Sequence, residues 1–341
     1  MEKVQAKLKY KTEDFIVEEI EGDWHCKISE EFIQPKIRID PSEKPFLWCE
    51  LEKRDIDHFS TIKEIANQLK ATAFQIGYAG TKDKKAHTAQ RISIEKPNIE
   101  KIIQFQHPNI ILKNFKWNKR KIKLGYLTGN HFKITLRDIN KKDAMKITNQ
   151  IKKTTYFPNY FGPQRFGINQ DNIKIGKQIL KRNFDKAVKL IQEDSSYLSN
   201  IQNLRQVPRK TLLIYVHSVQ SIIFNDIVAQ ALDENINLEL KGQTTGILAG
   251  YKTRFSQDRL GEIEQEVLKQ HNLKLEDFNI TEIPFLRIKG SFRKAITTIN
   301  DLKIETENDD KFSESKKIIL EFTLPSGVYA TTFLENFFIF D

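Results

Sequence analysis

Cysteine is nearly absent. Cys26 and Cys49 are the only two in 341 residues, and their separation excludes a Cys-x-x-Cys metal or redox pair. A reducing compartment is therefore expected. No apolar run approaches the roughly 20 residues that a bilayer span needs. Met1 to Gln5 is mixed in charge and lacks the apolar core of a signal peptide. The expectation is a soluble, cytoplasmic protein with no membrane partner. Signatures of several enzyme classes are also missing. Gly80 follows Gly77 after only two residues, so the G-x-x-x-x-G-K-[ST] phosphate loop fails. There is no G-x-S-x-G elbow and no His/Cys cluster at metal-ligand spacing, so no metal site is expected. Internal repeats and low-complexity tracts are absent.

Positive charge is abundant. Lys and Arg number 55 against 45 Asp and Glu, a formal net charge of +10, which points to a polyanionic partner. Local clustering discriminates better than the total. From Lys101 to Arg137 there are nine Lys/Arg residues and no Asp or Glu, with Lys113, Lys116, Lys119, Arg120, Lys121 and Lys123 interleaved with Phe115 and Trp117. Such a run is either a solvated face beside an ordinary core or an RNA-facing surface, and the absence of acids favours RNA.

Hydrophobic residues make up 39% of the chain, enough for a globular core, and the length fits two domains. Residues 1 to about 137 read as strands with one helix. Thr61 to Glu64 fits a capping box, followed by the stripe Ile62, Ile65, Ala66 and Leu69. Phe46 to Leu51 reads as a buried strand, and Asn140 and Asp143 open a helix with Met145, Ile147 and Ile151. Helical spacing then dominates over Ile173 to Leu180, Phe184 to Ile191, Ser218 to Leu232 and Arg259 to Leu268. Strand character returns at Phe285 to Ile288 and Ile318 to Leu324, while Asp301 to Glu314 reads as an exposed loop. A strand-rich region interrupted by helices suggests one domain inserted into another, with the insertion at 168–284.

The most informative segment is Gly77-Tyr78-Ala79-Gly80-Thr81-Lys82-Asp83-Lys84-Lys85-Ala86. Phe74, Ile76 and Tyr78 alternate before it, and Ile92 and Ile94 resume the period of two after it. Asp83 therefore belongs at the tip of a strand-loop-strand unit, where backbone can approach a ligand. The neighbouring lysines favour an ionised carboxylate, ready as a nucleophile or base. By residue type alone, a solvated charged turn is the commoner explanation.

Five segments, in order, decide between these. Thr12-Glu13-Asp14-Phe15-Ile16-Val17-Glu18-Glu19, the loop around Asp83, Gly125 to Phe132, Asn159-Tyr160-Phe161-Gly162-Pro163-Gln164-Arg165-Phe166-Gly167 and Leu324 to Thr331 resemble the motifs of the tRNA pseudouridine synthase D (TruD) family. The resemblance implies an α+β fold. It consists of a catalytic core with a mixed, mainly antiparallel sheet and flanking helices (1–167 and 285–341), plus a mostly helical α/β insertion domain (168–284). It implies isomerisation of uridine, at position 13 of certain tRNAs, to pseudouridine. The bond between ribose and N1 breaks, the uracil turns, and it rejoins through C5. No redox step or group donor is needed, so no cofactor is expected. The implied partner is tRNA, with no obligate protein partner, and the chain is expected to be a monomer.

Residue by residue, the resemblance places the catalytic carboxylate at Asp83. Whether it attacks the base, attacks C1′ or removes a sugar proton stays open. Phe15 matches the ring that packs on a flipped base, where stacking is worth about 1–3 kcal/mol; otherwise it is core. Asn130 and Phe132, two apart on a strand, point to one face with Ile134 and Leu136, and the resemblance puts both in the substrate pocket. An amide can both donate and accept toward the uracil edge. The alternative is a strand start with Phe132 in the core. Lys9 matches a basic partner that holds the carboxylate, a role Lys82 or Lys84 could also fill. Asn159 to Gly167 either contacts RNA backbone or braces the site wall. His87 is expected as a strand residue facing solvent rather than a general base. The competing class is a non-catalytic RNA-binding module or RNA chaperone, which would not need Asp83.

Overall fold

Alternating side chains build one large mixed sheet. A computed structural model of the chain describes residues 3–194, 198–236, 238 and 245–340. They fall into two compact units, one of residues 1–155, 298–330 and 334–341, the other of 156–297 and 331–333. The second unit thus begins before residue 168 and continues past 284.

In the first unit the strands are β1 (Val4–Ala6), β2 (Phe15–Glu21), β3 (Trp24–His25), β4 (Phe46–Arg54), β5 (Ile76–Tyr78), β6 (His87–Glu95), β7 (Ile110–Asn118) and β8 (Gly129–Ile139). Later strands span Asn300–Asn308, Lys316–Pro325 and Phe338–Phe340. The sheet runs Asn300–Asn308, Lys316–Pro325, β8, β2, β6, β4, β7, with β3 on β2 and β5 on β6. Among the described residues only β2 and β6 pair in parallel there, and a separate parallel pair joins β1 to Phe338–Phe340. Helix α1 (His58–Gln68) packs Ile62, Ile65 and Ala66 into a core with Leu47, Cys49, Leu51, Ile92 and Ile94. A short helix α2 (Ile99–Ile103) follows, and α3 (Lys141–Lys153) starts at Asn140, whose side chain accepts from the Lys142 amide. Cys26 and Cys49 are buried and free, and burial pushes both thiols up, which leaves them unreactive.

The second unit packs α4 (Asp171–Leu180), α5 (Phe184–Asp194), α6 (Arg209–Asp233) and α7 (Arg259–Gln270) around one apolar core. The Asn159–Gly167 segment is built into this unit. Asn159 bonds the Lys294 carbonyl and accepts from Arg293, Asn225 bonds the Phe161 backbone in both directions, and Phe166 lies in the core.

Five local expectations need correction. Helix α1 begins at His58, earlier than Thr61, because Asp57 caps it by accepting from the Ser60 amide at 3.0 Å. Residues 285–288 are no strand: Pro284 opens a 3₁₀ turn over Pro284–Leu286, with Leu286 in the core. Asp301 to Asn308 is an exposed edge strand paired with Lys316–Pro325, not a loop. Helix α6 starts at Arg209, nine residues before Ser218, since Leu212, Tyr215 and Val216 extend its buried face. That length overturns the expectation of no apolar run near membrane-spanning length. Arg209–Asp233 is long and apolar enough to cross a membrane, yet most of its most apolar stretch is buried in the second unit. A helix apolar all round is what the centre of a helical core requires.

Candidate active site

The loop carrying Asp83 joins β5 to β6, which pair directly with one another, so both its ends are fixed to the sheet. Gly77 in β5 is required by close packing: a Cβ there would lie 2.3 Å from the Ile122 carbonyl oxygen. Three side chains then set the loop. Lys53 of β4 donates to the Asp83 carbonyl at 2.5 Å and to the Ile56 carbonyl at 2.9 Å. Gln90 of β6 donates to the Gly80 carbonyl at 3.1 Å. Lys82 turns inward and donates to Glu19 Oε2 at 2.9 Å and to Asn130 Oδ1 at 2.8 Å. With its backbone held, the Asp83 side chain stays 44% exposed.

Lys9 Nζ lies 2.6 Å from Asp83 Oδ2. This lysine takes the left-handed conformation, φ 56°, which is unfavourable for a residue with a Cβ. Surrounding contacts must therefore hold it there. Arg137 of β8 grips the carboxylate of Asp14 through two 2.8 Å bonds, and Asp14 accepts from the Lys11 amide. Arg137 also reaches Asp309 and Asp310, just beyond the edge strand. The segment between Lys9 and Phe15 is thereby tied to β8. The same ammonium sits 4.1 Å from the centroid of the Phe15 ring, a cation–π contact. Phe15 meets Phe132 edge-on at 6.4 Å, and Phe132 stacks on Phe322 at 5.5 Å.

Asp83, Lys9, Phe15, Phe132 and Asn130 therefore form one connected set, Asn130 joining it through Lys82. Lys82 serves Glu19 and Asn130 rather than the Asp83 carboxylate, and Lys84 is exposed. Phe15 is 2% exposed, its ring covered by Lys9. Burial pushes the Lys53 ammonium down to about 8, partly opposed by Asp83 and Asp57. His58 of α1 packs edge-on against Tyr78 at 4.5 Å, and burial, with Lys53 and Lys82 nearby, pushes it down to about 4. The ring is neutral at physiological pH.

Four contributors escaped the sequence reading: Glu19, Lys53, Gln90 and Arg137. Glu19 could have been found, because it follows Phe15 and Val17 at a period of two and so shares their face. The other three act through backbone or ion pairs formed by strands distant in sequence.

His87 does not face solvent. It is buried, 2.7 Å from Glu52 Oε1, with Phe32 packed edge-on against its ring. Lys113 and Ser29 complete the partners of Glu52. Burial works against this carboxylate, yet hydrogen bonds from His87, Lys113 and Ser29 hold it down at about 2. The basic run is accordingly divided. Lys113 is internal, Phe115 and Trp117 pack on the core, and Lys116, Lys119, Arg120 and Lys123 remain exposed.

A family model for tRNA pseudouridine synthase D (TruD) matches residues 1–197 and 239–337. The chain belongs to the TruD family. A relative from Methanocaldococcus jannaschii, named Probable tRNA pseudouridine synthase D 1, is 30% identical over 95% of this chain and 93% of its own length. One from Methanosarcina mazei, named Probable tRNA pseudouridine synthase D, is 28% identical over 97% and 93%. A crystal structure of a TruD protein from Methanosarcina mazei superposes with a TM-score of 0.76 at 26% identity, covering 98% of this chain and 94% of that one. This TruD chain shares that α+β fold and is a pseudouridine synthase, an isomerase of uridine in tRNA.

Proposed function

We propose that this enzyme converts uridine-13 in the D-stem region of tRNA to pseudouridine, with Asp83 as the catalytic carboxylate acting on a flipped-out base. The observation that carries this reading is the Lys9–Asp83 contact of 2.6 Å on a loop whose backbone is pinned while its carboxylate stays accessible. Attack on the base, attack on C1′ and removal of a sugar proton all need a positioned, ionised carboxylate, and Lys9 holds Asp83 for that task. In each route the C1′–N1 bond breaks, C1′ bonds to C5, and the C5 proton leaves while N1 gains one.

Asn130 lines the pocket. A lysine can only donate, so Oδ1 is committed to Lys82, and the amide NH₂ is left to donate to a uracil carbonyl. Phe132 backs the pocket. Phe15 supports Lys9 through its ring face, and a base can stack on that face only once the ammonium shifts aside. The exposed Lys116, Lys119, Arg120 and Lys123 contact phosphates. The enzyme works in the cytoplasm as a monomer, without a protein partner.

Mapping pseudouridine on unmodified tRNA transcripts incubated with the protein tests this reading. A new pseudouridine at position 13 supports it. Pseudouridine at another tRNA position would overturn the target, and binding with no pseudouridine at all would leave the RNA-binding alternative.

A further inference from the structure

The face of β2 and β8 opposite Asp83 carries a second cluster of chemically active groups. Glu18 on β2, His25 on β3 and His131 on β8 converge there, one potential ligand atom from each lying within 4.8 Å of the others. His25 Nε2 is 2.8 Å and His131 Nδ1 3.4 Å from Glu18 Oε2. Distances this short normally mean hydrogen bonds, yet among the described residues neither buried nitrogen makes an aligned one. Both nitrogens are buried and lie close to the same carboxylate oxygen. We infer that Glu18, His25 and His131 form a binding site for a late first-row divalent metal ion of the zinc type.

The donor chemistry selects that class. Two imidazoles and one carboxylate suit zinc or cobalt, whereas magnesium and calcium prefer all-oxygen sets. Zinc bonds of about 2.0–2.2 Å in a tetrahedral site place neighbouring donor atoms about 3.3 Å apart. The His131 distance already fits, and a small turn of the His25 ring opens the shorter one. The surroundings are those of a supported site. Glu18 Oε1 accepts from the Ile28 amide at 2.9 Å, which fixes the carboxylate and leaves Oε2 for the metal. His131 Nε2 lies 3.3 Å from Glu321 Oε1, the carboxylate–histidine arrangement that commonly orients a metal-bound imidazole. A dication would offset the charge of Glu18, while Glu321 is already paired with Lys303 at 3.1 Å. Three protein ligands leave a fourth position for water. The site would join β2, β3 and β8 on the back of the strand that carries Asn130 and Phe132. No local motif announces it, because each ligand comes from a different strand.

The test is titration of the full-length, chelator-stripped, untagged protein with Co²⁺, read by its d–d absorption, and with Zn²⁺, read by calorimetry. One equivalent should bind to the wild type. His25→Gln and His131→Gln, which keep side-chain bulk, should each weaken binding by at least about tenfold, while His107→Gln should leave it unchanged. Wild-type protein that takes up no Co²⁺ or Zn²⁺ would overturn the inference, whether or not the variants fold. So would one equivalent bound equally well by wild type, His25→Gln and His131→Gln.

Discussion

The two faces of the β2–β8 pair bury charge for different ends. On one face, Phe15 and Glu19 of β2 and Asn130 and Phe132 of β8 meet Lys82 and Lys9, while the carboxylate of Asp83 stays exposed. On the other, Glu52, His87 and Lys113 farther along the sheet are saturated by one another and by Ser29, and Glu18 accepts from the Ile28 amide beside His25 and His131. A buried ion is tolerated only when paired and hydrogen-bonded. The first face meets that demand and aims the remaining group outward. The second meets it by closing inward.

The largest effect on stability is expected where the first face pairs its charges. Lys82→Met leaves Glu19 buried without its cation, and urea unfolding should show a loss of about 3–5 kcal/mol. A loss under about 1 kcal/mol would mean that Glu19 finds another partner or water.

Glu52 comes next. Its folded value of about 2 lies below the ordinary 4.5. Its contribution is therefore fully present above the unfolded value and fades as pH falls from about 4.5 toward 2. Over that window wild type should lose about 3 kcal/mol from this group. Glu52→Gln should be less stable at pH 7 and flatter below pH 4.5, and identical acid profiles would show that the group is not held in this way.

Lys9→Met should slow single-turnover pseudouridine formation by about a hundredfold with little change in tRNA affinity, since it removes an electrostatic support rather than a binding contact. Equal losses in affinity and rate would recast Lys9 as a phosphate contact. The smallest effect is expected outside both faces. The double substitution Lys119→Ala and Arg120→Ala should weaken tRNA binding severalfold and lower the slope of log affinity against log salt by about 1–2. An unchanged slope would remove these exposed side chains from the RNA interface.

Much of the face beside Asp83 was legible because it depends on short-range pattern. The alternation through Ile76, Tyr78, Ile92 and Ile94 located the Asp83 loop between two strands. The period of two from Asn130 to Leu136 assigned one face of β8, whose Phe132, Ile134 and Leu136 are buried. What stayed hidden was pairing across the sheet. Alternation assigns His87 to a face but cannot tell that Phe32 and Glu52 cover it. Asp14 reads as part of a loop until Arg137, 123 residues away, closes on it. The edge strand Asn300–Asn308 does not show in the sequence because its acidic, exposed side chains lack an apolar face, while its register comes from Lys316–Pro325. Helix α6 was shortened for the opposite reason: apolar on every side, it shows no clear period from which to read its start.

The central claim is that the pinned, accessible carboxylate of Asp83 does the chemistry. Single-turnover conversion of a tRNA transcript by Asp83→Asn, with binding measured on the same preparation, tests it most directly. The rate should fall by at least about a thousandfold while affinity stays within about threefold. Pseudouridine formed at a rate near wild type would contradict the account.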